Sequence, residues 1–184
     1  MPEPDKQPPT DAQKKAAKFL IRPKSDFTAW RKAREEERAQ AFAKAMAHAK
    51  IGDVMPDGTV YAGISLPMNA HLFVTPQDAA VAMQFNEAAK YTRELDAHGH
   101  QDWRLPTIEE LQLLFRNNQK GALKGTFNTT GRNGSFWYWS GTLMGAHGNI
   151  IRVARFSDGL EAWGTALRGP PNCRPVRLVP VFAV

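Results

Sequence analysis

The sequence predicts an α+β fold: short antiparallel strands packed around two helices, preceded by one long helix and a disordered N-terminus. Three observations carry this. A capping box opens a helix at Thr107, an apolar stripe marks a second helix before it, and the last third is all short strands and turns. The returns between strands are non-local, and no βαβ repeat or internal repeat is present.

Residues 1–13 (MPEPDKQPPTDAQ) are Pro-rich and polar, the composition of a segment ordered only by a partner. Residues 14–50 form a basic helical arm. Its helix runs from Asp26, a candidate cap, to residue 50, with Phe27, Trp30, Phe42, Met46 and Ala49 at helical spacings. The middle, Arg34–Arg38, is polar all round, so this helix is solvated or bound at its ends rather than buried along its length. Gly52 stops it.

Residues 51–184 read as one domain. Asp57-Gly58 is a turn signal between Val54 and Val60-Tyr61, which predicts a hairpin. A short strand, His71–Val74, leads into Thr75-Pro76-Gln77-Asp78. Proline at the first helical position and an acid at the third predict a helix from Thr75, with a stripe of Ala80, Met83, Ala88, Tyr91 and Leu95. In Trp103-Arg104-Leu105-Pro106-Thr107, Pro106 keeps the preceding residue extended. Thr107 and Glu110 then form a capping box for a helix that ends near Asn117-Asn118. Strands follow at 136–140, 150–156, 160–163 and 175–182, separated by Gly, Asn and Asp.

Composition narrows the function classes. The net charge is +6, of which residues 1–50 supply +5. That asymmetry describes a basic arm on a near-neutral domain. No signal peptide is visible, and no run reaches the ~18 apolar residues of a membrane span. The expectation is a cytoplasmic or virion-associated protein without membrane partners, with signal-independent export as the alternative. The single Cys173 excludes an internal disulfide and a cysteine-based zinc site, and reads as a small core residue.

Several ordered motifs together resemble a known bacterial family. They are Gly52-Asp53-x-Met55-Pro56-Asp57-Gly58-Thr59-Val60-Tyr61, Ala97-His98-Gly99-His100-x-Asp102-Trp103-Arg104-Leu105-Pro106-Thr107, Trp137-Tyr138-Trp139-Ser140, Arg155-Phe156-Ser157-Asp158-Gly159 and Arg174-Pro175-Val176-Arg177. This set is similar to the family named for the C-terminal domain of the Lcl adhesin, over roughly residues 51–180. The resemblance implies a C-type-lectin-like fold, related to sulfatase-modifying-factor domains and to the variable proteins of diversity-generating retroelements. That fold hosts lectins, adhesins, receptors and enzymes, so it leaves function open. Trp103 and Trp139 read as core rings, and Arg104 and Arg177 as partners of carbonyls or carboxylates.

Candidate chemistry is sparse. His98-x-His100-x-Asp102 resembles the zinc run of the metallo-β-lactamase superfamily, whose donors suit zinc. That family continues with a further His where this chain has Trp103, and the competing reading is a polar loop. Neither the Glu-Pro-Asn nor the Trp-Asn-Asp signature of calcium lectins occurs, and no Lys-Ser/Thr phosphate loop is present. No cofactor is expected.

The expectation is therefore a non-enzymatic binding module, adhesin-like or receptor-binding-like. Its protein or glycan ligand would meet the C-terminal loops through His147, Asn149, Arg152, Asp158, Leu160, Glu161, Trp163, Arg168 and Asn172. Trp163 among polar neighbours suits recognition, and the alternative is that it closes the core. Phe27, Trp30, Phe42 and Met46 would dock the arm on a protein partner, a second copy or the domain itself. Alternatives are nucleic-acid association through Lys14, Lys15, Lys18, Arg22, Lys24, Arg31 and Lys32, a metalloenzyme using His98, His100 and Asp102, and a retroelement-diversified variable protein. Residues 157–172 lack the Asn, Tyr and Ser enrichment the last would show.

Overall fold

A computed structural model describes residues 24–130, 136–144, 150–164, 167 and 169–183. The expected disordered tail and the arm as far as residue 23 lie outside them. The chain divides into two units, Met1–Gln40 and Ala41–Val184. Helix α1 (Lys24–Met46) crosses that division, ending four residues before the expected stop. Every residue from Phe27 to Gln40 is exposed. Two charge pairs, Lys32–Glu36 at 3.9 Å and Arg34–Glu37 at 3.3 Å, run along the helix, each worth a few tenths of a kcal/mol at ~0.3–0.5.

The second unit is α+β with two three-stranded antiparallel sheets. The first sheet has the order β1 (Val60–Ser65), β2 (Ala70–Val74), β6 (Val176–Pro180), and the second has β3 (Trp137–Met144), β4 (Ile150–Arg155), β5 (Glu161–Trp163). Helices α2 (Phe85–Glu94) and α3 (Ile108–Asn117) complete it. The main core joins both sheets through α3: Leu111 and Leu114 meet Val60, Leu72, Val74 and Val176 from one, and Tyr138 and Ala154 from the other. A second cluster places Trp137, Trp139 and Val153 against Leu105, Ala88 and Cys173. Cys173 is buried, and burial, with the nearby Asp78 charge, pushes its thiol up to about 12.

Local signals set several elements as expected. The Thr107 hydroxyl accepts from the Glu110 N–H at 3.2 Å, and Glu110 accepts from the Thr107 N–H at 2.8 Å. Asp57 orders its turn by accepting from the Thr59 N–H and hydroxyl, and Gly58 takes φ +86°, the left-handed region that suits glycine. The expected hairpin there is short: Val54 bridges Val60, and the N–H groups of Met55, Tyr61 and Gly52 donate to the carbonyls of Thr59, Asp53 and Tyr61. Trp103 and Trp139 are buried, each donating its indole N–H to a carbonyl. The Arg177 guanidinium meets the Asp102 carboxylate at 2.9 and 3.2 Å.

The helix expected from Thr75 does not begin there; α2 starts ten residues later, at Phe85. The backbone donors of Thr75, Ala79 and Met83 go instead to the carbonyls of Pro175, Cys173 and Pro171. Residues 75–83 are thus held along the segment that enters β6. Asp78, read as a helix-start acid, pairs with Arg174 at 2.6 Å. A local start signal lost to a non-local ladder and a buried charge pair.

The end of α1 belongs to the second unit. Phe42, Ala45 and Met46 pack with Met55, Tyr61 and Phe73, and the Phe42 and Phe73 ring centroids lie 5.3 Å apart. This places residues 41–50 with the domain, ahead of the boundary at 51 read from the sequence. A chain beginning at Ala41 should melt in one cooperative transition. One beginning at Ile51 should melt well below it, and Met46→Ala alone should cost about 2–4 kcal/mol by urea titration.

Glu110 generates a second expectation. It is 1% exposed and accepts from Arg104, Ser65 and the Thr107 N–H. Burial raises its carboxyl, but the Arg104 hydrogen bonds and charge, with the Thr107 N–H, outweigh burial and hold it below the ordinary glutamate value. A depressed folded value contributes stability above the unfolded value, and that stability is lost as pH falls through the folded one. Glu110→Gln should therefore destabilise at pH 7 by about 3 kcal/mol. Thermal melts of the variant should vary less than wild type from pH 5 to pH 3.

Candidate binding face on the second sheet

β3 runs four residues beyond its expected end because a bulge carries it past Gly141. Trp139 pairs with Val153 and Leu143 with Ile151, so Ser140, Gly141 and Thr142 together oppose Arg152. The Ser140 hydroxyl donates to the Arg152 carbonyl at 2.7 Å and accepts from the Thr142 N–H at 3.1 Å. The Gly141 N–H donates to the Pro106 carbonyl at 2.7 Å. The bulge is thus satisfied from both sides and ties the strand to the Trp103–Thr107 segment.

Arg152 sits opposite Trp163 in the β4–β5 register. Its guanidinium carbon lies 5.3 Å from the Trp163 ring centroid, and it pairs with Glu161. One Arg152 nitrogen also approaches the Met144 sulfur at 3.8 Å. Side chains alternate along β4, so Arg152 shares a face with Ala154, two residues on. At the Ala154 end that face is buried against α3, and at the Arg152 end it opens to solvent. Trp163 is 45% exposed there, and Met144 42%.

Such a face offers a flat aromatic surface, a guanidinium held by stacking and an ion pair, and a polarizable thioether. Arg152 and Trp163 are preorganised, so a ligand orders few side chains on binding. Arg152, Glu161 and Trp163 are thus the three expected ligand residues brought together. Met144 was missed, because the expected strand ended at residue 140; only the bulge extends it.

The other expected site residues lie elsewhere. Asp158 pairs with Arg155 in the β4–β5 turn and accepts from the Leu160 N–H at 3.1 Å. The Arg155 hydrogen bond holds the Asp158 carboxyl below its ordinary range. Leu160 is exposed on that turn, and its carbonyl accepts from the Arg155 N–H. Asn172 exchanges backbone hydrogen bonds with Trp137 and Trp139, serving as an added strand edge. His147, Asn149 and Arg168 lie outside the described residues.

The three members of the zinc-like run are held by other groups, both histidines by Asp57 and the aspartate by Arg177. His100 meets the Asp57 carboxylate at 2.9 Å, His98 the Asp57 carbonyl at 3.1 Å, and Asp102 pairs with Arg177. Burial raises the Asp57 carboxyl, but the Thr59 N–H and the His100 ring outweigh it and leave it lowered. Among the described residues, no three His, Cys, Asp or Glu side chains come close enough to hold a metal ion.

Of the expected docking residues, Phe42 and Met46 are engaged in the domain's own core. Phe27 and Trp30 keep half their surface exposed, with ring centroids 5.8 Å apart. Arg31 lies over Phe27 and Arg34 over Trp30. Of the expected nucleic-acid contacts, Arg31 and Lys32 are exposed; Lys14, Lys15, Lys18 and Arg22 lie outside the described residues.

Among the described residues, no helix is long and apolar enough to cross a membrane. Comparison with curated proteins finds no match. A family model matches residues 13–177, taking in the helical arm that the motifs alone left outside, and the chain belongs to the Lcl C-terminal domain family.

Proposed function

We propose that this protein is a non-enzymatic binding module of C-type-lectin-like fold, with its ligand face at the open end of the second sheet. Two small antiparallel sheets joined by α3 support the fold reading. The observation that carries the function is the cross-strand pair of Arg152 and Trp163, stacked, ion-paired to Glu161 and still accessible. Exposed Trp rings give sugar rings and apolar side chains a large contact area at low entropic cost. A glycan is the preferred ligand, because the guanidinium and carboxylate beside the ring match vicinal hydroxyls. The arm acts as a tether, with Phe27 and Trp30 as its contacts.

Glycan-array binding of wild type and Trp163→Ala tests this. The expected result is binding that weakens at least about tenfold in the variant, as for a buried aromatic anchor. The melting temperature should move by no more than about 2 °C, since surface substitutions cost little. A large drop in melting temperature would mean that Trp163 closes the core. Undiminished binding would remove the face.

A second reading is favoured by the cation–aromatic pairs on α1: association of the basic arm with nucleic acid. It requires binding that falls steeply with salt. Absence of a gel shift with the full chain at low salt would end it.

A further inference from the structure

We propose that the cleft between α2 and the Arg104–Thr107 segment is a second binding site, for a small organic acid with an apolar body. The cleft has a volume of about 390 Å³, within the ~300–1,000 Å³ of small-molecule sites. Met68, Phe85, Ala89 and Leu105 form its apolar wall, and Arg93 and Arg104 are the charged residues lining it. Among the described residues no carboxylate lines it, so the charge of that lining is one-sided.

Arg104 supplies the specific feature. A guanidinium has five N–H donors in a fixed fork. One terminal nitrogen of Arg104 donates to the Leu105 carbonyl and to Glu110, both at 2.8 Å. The other donates to the second Glu110 oxygen at 2.7 Å. The edge formed by Nε–H and the remaining Nη2–H has no acceptor among the described residues.

The other ion-paired arginines with Nε contacts use that edge. In Arg155 and Arg177 it holds the carboxylates of Asp158 and Asp102. In Arg174 it holds Asp78 and the Thr126 carbonyl. Arg104 is 31% exposed in its side chain and lines the cleft. A planar carboxylate is the group that completes such an edge with two parallel hydrogen bonds. Glu110 keeps the guanidinium in place, so little ordering is lost when a ligand arrives. Arg93 uses its Nε–H on the Ala89 carbonyl and makes no ion pair among the described residues, leaving its charge to the same ligand.

The test uses the full chain and three probes: 4-phenylbutyrate, its primary amide, and the tripeptide Gly-Gly-Phe with a free C-terminus. Binding is read by amide chemical-shift titration. The acid should shift the amides of Ala89, Arg93 and Gly141, and bind at least about tenfold tighter than the amide, as a charge-assisted fork requires. Equal binding of acid and amide, or shifts located elsewhere, would overturn the proposal. Tighter binding of the tripeptide than of the acid would overturn the free-acid assignment.

Arg104→Lys keeps a charge for Glu110 and removes the fork, and should lose about tenfold in affinity. Because that variant can fail to fold, Ala89→Leu and Arg93→Gln are measured beside it. Ala89→Leu fills the apolar wall and should weaken the acid and the amide alike. Arg93→Gln should weaken the acid alone, by about threefold for an exposed charge. Unchanged acid affinity in both would overturn the site.

Discussion

Arg174 heads the largest fully buried side chains of the domain, and the surrounding loops are organised around its charge. Its Nε–H donates to Asp78, one terminal nitrogen to the Thr75 carbonyl at 2.9 Å, and the other to the Thr126 carbonyl. Its guanidinium lies 4.1 Å from the Phe127 ring centroid. Asp78 also accepts from the Tyr138 hydroxyl at 2.6 Å, and that hydroxyl accepts from the Asn128 N–H. Burial pushes the Asp78 carboxyl up, and the Arg174 charge and hydrogen bonds offset part of that rise. Isolated, each ion would face a desolvation cost of several kcal/mol; removing one would leave the other uncompensated. Four segments distant in sequence are therefore held in one arrangement.

The same device recurs at the domain's other junctions. Glu110 joins the start of α3 to Arg104 and to Ser65 at the end of β1. Asp102 joins the approach to Trp103 with β6 through Arg177. Asp57 joins the first turn to the His98–His100 loop. Antiparallel sheets of three strands are small, and much chain lies outside them. The pairs of Glu110, Arg174 and Arg177, each with one buried member, and the Asp57 hydrogen bonds give these loops the register that a longer ladder would otherwise impose. Asp102, Arg104, Arg174 and Arg177 of the family motifs are held this way.

Two accessible features of the domain stand out among the described residues. The open end of the second sheet carries a stacked Arg–Trp pair whose groups satisfy one another and can be met from solvent. The cleft beside α2 carries a guanidinium whose held edge faces Glu110 and whose other edge lacks an acceptor among the described residues. The bulge at Ser140–Thr142 serves both: it extends β3 to Met144 on the face and places Gly141 in the wall of the cleft. One irregularity in a strand thus shapes two surfaces.

Where a few neighbouring residues contain the whole interaction, the sequence was sufficient. Thr107 and Glu110 are three residues apart, so the helix start was legible; so were the Asp57-Gly58 turn, the buried Trp103 and Trp139, the approximate strands and the α+β class. Asp78 shows the limit. Its neighbours spell a helix start, but its partner Arg174 lies 96 residues on, and a buried ion pair outweighs a cap worth about 1 kcal/mol. The end of α1 was legible only in part for a related reason: Phe42 and Met46 have helical spacing and read as docking residues for a partner or for the domain itself, and only Tyr61 and Phe73 decide that they are core. Among the candidate ligand residues, Arg152, Glu161 and Trp163 were legible only as polar or amphipathic residues of the C-terminal segment. That they meet, while Asp158 and Asn172 are spent on turns and edges, follows from strand register, which tertiary packing alone decides.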